Sequence, residues 1–253
     1  MAKSKVRAST TPARKPAPVA EQPYRRSTAR EYFESIAIAV ILARFVWTFV
    51  FQAFKIPTGS MENKLLIGDH LMVNKFVFGP GGSPVLKALL PMRDIRRGDI
   101  VVFKYPEDPE RDFIKRVIGL PGETLEVRDK RVYVNGTRLE EPYVHYLEPP
   151  TGQSEYQEVT SLDLRERYGP VQVPADKYFV MGDNRDNSQD SRYWGFLPRS
   201  YVKGRALMIY WSYESETEDY QQTGIVATVK DLVGVVTHFF TRTRWSRMFH
   251  LIR

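Results

Sequence analysis

The chain has 253 residues, 42% of them hydrophobic, enough to bury the core of one good-sized domain. It contains no cysteine, which excludes a disulfide framework, a thiol nucleophile and thiolate metal sites. The net charge of +7 is concentrated in the first thirty residues, where Lys3, Lys5, Arg7, Arg14, Lys15, Arg25, Arg26 and Arg30 face Glu21 alone. The remainder is near neutral, which argues against a nucleic-acid partner.

Residues 1–34 combine Lys, Arg, Pro, Ala, Ser and Thr with few large apolar side chains, the composition of a disordered tail. The apolar run from Ile36 to Phe54 then predicts a transmembrane signal-anchor helix over residues 35–55, close to the roughly twenty residues that cross a bilayer. Arg44 and Gln52 weaken this span. By the positive-inside rule the basic tail stays cytoplasmic and residues 56–253 lie on the trans side of the cytoplasmic membrane.

Beyond the span, HLMVNKFVF, DIVVFKYP, FIKRVIGL, TLEVRD, RVYVNGTRL, KYFVMGD and RALMIYW alternate with Gly, Pro, Asp and Asn clusters. This pattern predicts a mainly β, antiparallel domain, with a hairpin turning at Asn135-Gly136. Residues 123–175 read as a smaller inserted region, its polar part an irregular excursion from the sheet. Leu232, Val235, Val236, Phe239 and Phe240 predict an amphipathic helix over residues 226–241. Two placements stay open for it, packed on the sheet or lying on lipid with the following arginines toward headgroups.

Three segments carry chemistry. Ile56-Pro57-Thr58-Gly59-Ser60-Met61 holds two hydroxyls on a shaped loop just past the span. Lys115 interrupts an apolar strand, where desolvation would lower its pKa and make it a base. Gly182 to Gly195 is dense in short polar side chains but fails as a calcium loop, because Arg185, Ser188 and Trp194 stand at its third, sixth and twelfth positions. His70, His145, His238 and His250 are scattered outside these segments, so neither a zinc peptidase nor a Ser-His-Asp hydrolase is indicated.

IPTGSM, GDIVVFKYP, DFIKRVIGLPGE and GDNRDNSQDSRYWGFLP, in that order behind an N-terminal span, resemble the bacterial type I signal peptidases, the leader peptidases. The resemblance implies Ser60 as nucleophile, Lys115 as general base and Ser188 as the hydroxyl that orients the lysine amine. It implies an oxyanion hole made by Thr58 and the Ser60 amide, with Asp190, Arg192, Asp183, Arg185 and Arg116 as supports. Phe54, Ile56, Met61, Leu65, Val102 and Ile114 would line two shallow pockets that admit small residues of an Ala-x-Ala type. No cofactor or metal is implied, and the partners are signal-peptide-bearing preproteins, membrane lipids and a neighbouring secretion translocon. Alternatives are a specialised peptidase of the same family and a catalytically idle membrane-tethered β-adaptor. The family's SMxPT reads Ser60-Met-Glu-Asn-Lys64 here, so a different local turn is expected.

Overall fold

The computed structural model describes residues 28–79, 92–147, 164–214, 234 and 237–252. Residues 1–43 form one unit and residues 44–253 another.

Helix α1 runs over Thr28–Phe49 and leaves Tyr32, Phe33, Ile36, Ile38, Val40, Ile41, Leu42 and Phe45 exposed. The apolar run expected as one helix over 35–55 is divided. Its last part, Phe51–Lys55, is strand β1, paired in register with β2 (Asp69–Asn74) from Phe51 opposite Asn74 to Lys55 opposite His70. Sheet pairing and the packing of Phe54 on buried core side chains override the helical reading. Among the described residues no helix is long and apolar enough to cross a membrane.

The rest is mainly β and antiparallel. The larger sheet adds β3 (Ile100–Lys104), β4 (Asp112–Gly119), β9 (Lys177–Met181), β10 (Leu197–Pro198), β11 (Val202–Ser212) and β12 (His250–Leu251). Its order is β1-β2-β11-β3-β4-β9-β10, with β12 also on β11. β3 and β4 are enclosed by neighbours and by side chains on both faces, so their runs IVVF and IKRVI are buried almost continuously.

The expected inserted region contains its own sheet, ordered β7-β6-β5-β8 from Thr137–Arg138, Arg131–Val134, Thr124–Arg128 and Arg167–Gln172. Asn135 and Gly136, both at positive φ, make the two-residue turn between β6 and β7. Leu125, Val127, Val132 and Val134 pack on Ile118, Phe179 and Met181 of the larger sheet, which fixes the two sheets against each other.

The expected helix over 226–241 lies largely outside the described residues. Where described, the chain turns at His238 before a short helix, Phe239–Arg242. The segment behind it docks on the sheet: β12 pairs with β11, and Arg247 bonds Asp69 Oδ2 at 2.7 Å and the Lys64 carbonyl at 2.9 Å.

Candidate active site

Strand pairing assembles the site from distant segments. β3 and β4 place Val101 opposite Lys115 and Val102 opposite Ile114, while β4 and β9 place Arg116 opposite Met181, just before the polar 182–192 segment. Ser60 sits in a 3₁₀ turn, Gly59–Met61, and its carbonyl accepts from the Asn184 amide at 3.1 Å. Asn63 in the following turn has φ 88, a left-handed value that the family's proline could not adopt. The departure in sequence is therefore a departure in turn geometry.

Lys115 Nζ donates to Ser60 Oγ at 2.7 Å and to the Ile114 carbonyl at 3.1 Å. Both side chains are shut away from water, Ser60 being 6% and Lys115 3% exposed. Desolvation by burial outweighs the opposing Asp190 and Asp183 and, with a smaller contribution from Arg192, leaves the Lys115 pKa at about 8. At pH 7 about one such amine in ten is neutral, against roughly 0.04% for a free lysine. A neutral amine at this distance can accept the Ser60 proton.

The Thr58 hydroxyl lies 3.3 Å from Ser60 Oγ and does not cap the turn.

Ser188 is placed differently from expectation. Its buried hydroxyl makes no hydrogen bond to the Lys115 amine, although it contributes to holding the Asp190 pKa low. It packs instead on Gly182, where a β-carbon would overlap Ser188 Oγ and the Ser60 carbonyl oxygen.

Three buried arginine–carboxylate pairs surround the dyad. Arg116 binds Asp183 through two bonds of 2.7 and 2.6 Å, and Arg192 binds Asp190 through bonds of 2.8 and 2.9 Å. Burial opposes the Asp190 charge, but Arg192 and the Gly182 amide more than compensate and hold its pKa low. Arg185 takes as partner Glu141, a residue that sequence reasoning missed, at 2.9 and 2.6 Å. The one sequence signal for it was the need of a buried arginine for a carboxylate.

A cleft of about 510 Å³ opens over Ser60 and Lys115, walled by Phe54, Pro57, Thr58, Arg111, Phe113, Ile114, Asn187 and Gln189. Of the six expected pocket residues only Phe54 and Ile114 line it. Ile56, Met61, Leu65 and Val102 are buried in the core cluster that also takes in Ile114, with Phe54 packed against it. Among the described residues no cluster of three or more His, Asp or Glu side chains could hold a metal ion.

The family model for signal peptidase, peptidase S26, matches residues 29–211. A signal peptidase I of Pseudomonas fluorescens is 36% identical over 224 residues, covering 78% of each chain. One of Leptolyngbya laminosa is 40% identical over 213 residues, covering 80% of this chain and 90% of its own. A solved signal peptidase I of Enterococcus faecalis aligns at 34% identity and TM-score 0.34, covering 45% of this chain and 97% of its own. The chain belongs to the signal peptidase family, peptidase S26.

Proposed function

We propose that this chain is a membrane-anchored serine endopeptidase that removes N-terminal signal peptides from preproteins, cutting after small residues. The observation that carries the reading is the 2.7 Å contact between the buried Lys115 amine and the Ser60 hydroxyl at the wall of an open cleft. Neutral Lys115 takes the Ser60 proton as Oγ attacks the scissile carbonyl, and the Ser60 amide and Thr58 hydroxyl receive the oxyanion. The lysine ammonium then protonates the leaving amine, releasing the mature protein and an ester on Ser60. Water, deprotonated by the same amine, hydrolyses that ester and restores both groups. No step requires a metal.

An extended precursor fits beside β1, which lies at the end of the sheet order, where backbone bonds would give affinity. Phe54 and Ile114 on the cleft wall, in one apolar cluster with Ile56, Met61, Leu65 and Val102, support a preference for small side chains. The exposed apolar side chains of α1 support its role as the anchor, with the basic tail on the cytoplasmic side. The same orientation brings residues 56–253 to lipid and to the translocon on the trans face.

In spheroplasts producing the chain, external protease should degrade residues 56–253, and a detergent extract should cut a labelled preprotein after alanine but leave its phenylalanine counterpart whole. A protected domain would contradict the topology. Equal cutting of both precursors would contradict the pocket, where even one excess methylene costs about 1–3 kcal/mol.

A further inference from the structure

Residues 141–147 leave the small sheet and return to the polar segment that holds the dyad in place. The His145 amide donates to the Asp183 carbonyl at 2.8 Å, and the Arg185 amide donates to the His145 carbonyl at 3.0 Å. The Leu147 amide reaches Asp186 at 2.9 Å. Tyr143 donates to Glu141 Oε1 at 3.0 Å, and its ring lies 4.0 Å from the Arg116 guanidinium that grips Asp183. At the centre, Glu141 and Arg185 form a bidentate pair with side chains only 6% and 1% exposed. Arg185 Nε donates onward to the Gly182 carbonyl at 3.2 Å. Gly182 is the residue whose α-carbon packs on Ser188 and the Ser60 carbonyl, and its amide binds Asp190.

We infer that Glu141 is a positioning residue for the Ser60/Lys115 pair, acting through Arg185 and the Gly182 carbonyl to keep the 182–190 segment closed over the lysine. This rests on the peptidase reading above. Glu141 touches neither reacting group. Its carboxylate fixes the guanidinium, the guanidinium fixes the peptide between Gly182 and Asp183, and that peptide sets how tightly Ser188 and Asp190 enclose the dyad. Burial opposes the Arg185 charge, yet Glu141 more than offsets it and raises the guanidinium pKa, so the pair behaves as one unit.

If the segment opens, water reaches Lys115, and the desolvation that depresses its pKa weakens. Asp183 and Asp190, which raise the Lys115 pKa, lie in that segment and would move with it, while Arg192, which lowers it, follows just beyond. Glu141→Gln should therefore lower kcat at least tenfold with KM changed less than twofold, and should move the pH midpoint upward from about 8 by about one unit. Glu141→Asp, which keeps the charge, should hold the midpoint nearer the parent value. The double variant Glu141→Leu with Arg185→Met replaces the buried pair by apolar groups and should fold, while still losing the bond to Gly182.

A purely structural role would lower the melting temperature of Glu141→Gln but leave kcat per folded molecule and the midpoint unchanged. That result, or parent kinetics in the double variant, would overturn the inference. Titration of the Lys115 amine by NMR in Ser60→Ala, with and without Glu141→Gln, reads the same shift without turnover. Failure of the parent to cut preprotein would thus sink the peptidase reading, and an unmoved Lys115 titration would sink the Glu141 inference.

Discussion

Lys115→Met is expected to reduce preprotein cleavage by at least about 10³-fold, the upper part of the range for removing a general base from its nucleophile. Methionine fills nearly the same space among Phe113, Ile114 and Val117, so the loss would come from the missing amine. Stability should move the other way. The folded pKa of about 8 lies below the ordinary 10.5, so the folded state carries the ammonium at a disadvantage whenever the pH is below about 8. That disadvantage amounts to about 3 kcal/mol and disappears as the unfolded lysine also loses its proton toward pH 10.5. Lys115→Met should accordingly melt higher than the parent at pH 7, and the gap should close between pH 8 and 10.5. Parent-like cleavage by a folded Lys115→Met chain would require another base; a lower melting point at pH 7 would contradict the burial account.

Gly182→Ala is the second large effect. The glycine has no positive φ to protect, so an alanine meets only a steric obstacle. Its β-carbon would lie closer than 3.0 Å to Ser188 Oγ, Ser188 Cβ and the Ser60 carbonyl oxygen, and one of these is backbone. Ser60 or Ser188 must shift, in a region where overpacking costs about 1–3 kcal/mol. A displacement near 1 Å at a reacting atom lowers rates by about 10²-fold. Circular dichroism should show a folded Gly182→Ala protein with kcat reduced by about that factor. Full activity would mean that the contact between Gly182 and Ser60 does not govern the nucleophile's position.

Much of this arrangement was legible because the strands follow local rules. Apolar runs bounded by Gly, Pro and Asp produced β2 to β6, and Asn135-Gly136 produced its turn. Lys115 was marked by its apolar neighbours and Ser60 by a loop shaped by Pro57 and Gly59, but only the ordered resemblance to signal peptidases joined them as a pair. Other features depend on contacts far apart in sequence. Phe51–Lys55 continues the hydrophobicity of α1 and becomes a strand only because β2 offers a partner. Arg167–Gln172 lay in a stretch read as irregular, yet it pairs with β5. Glu141 lies 44 residues from Arg185, in a polar stretch with no periodicity to mark it. Ile56, Met61, Leu65 and Val102 were assigned to the pockets by the resemblance alone, because which apolar residues border open space depends on how the sheets close. Ser188 shows the same limit for a polar group, since Gly182 takes its hydroxyl into a packing contact.

The most direct test of the account is the rate of preprotein cleavage between pH 5.5 and 10 for the parent chain, with Ser60→Ala alongside. The account predicts a rise with pH through a single midpoint near 8, where the Lys115 amine becomes neutral, and no cleavage by Ser60→Ala at any pH. A midpoint in the histidine range near 6.5, or turnover by Ser60→Ala, would contradict it.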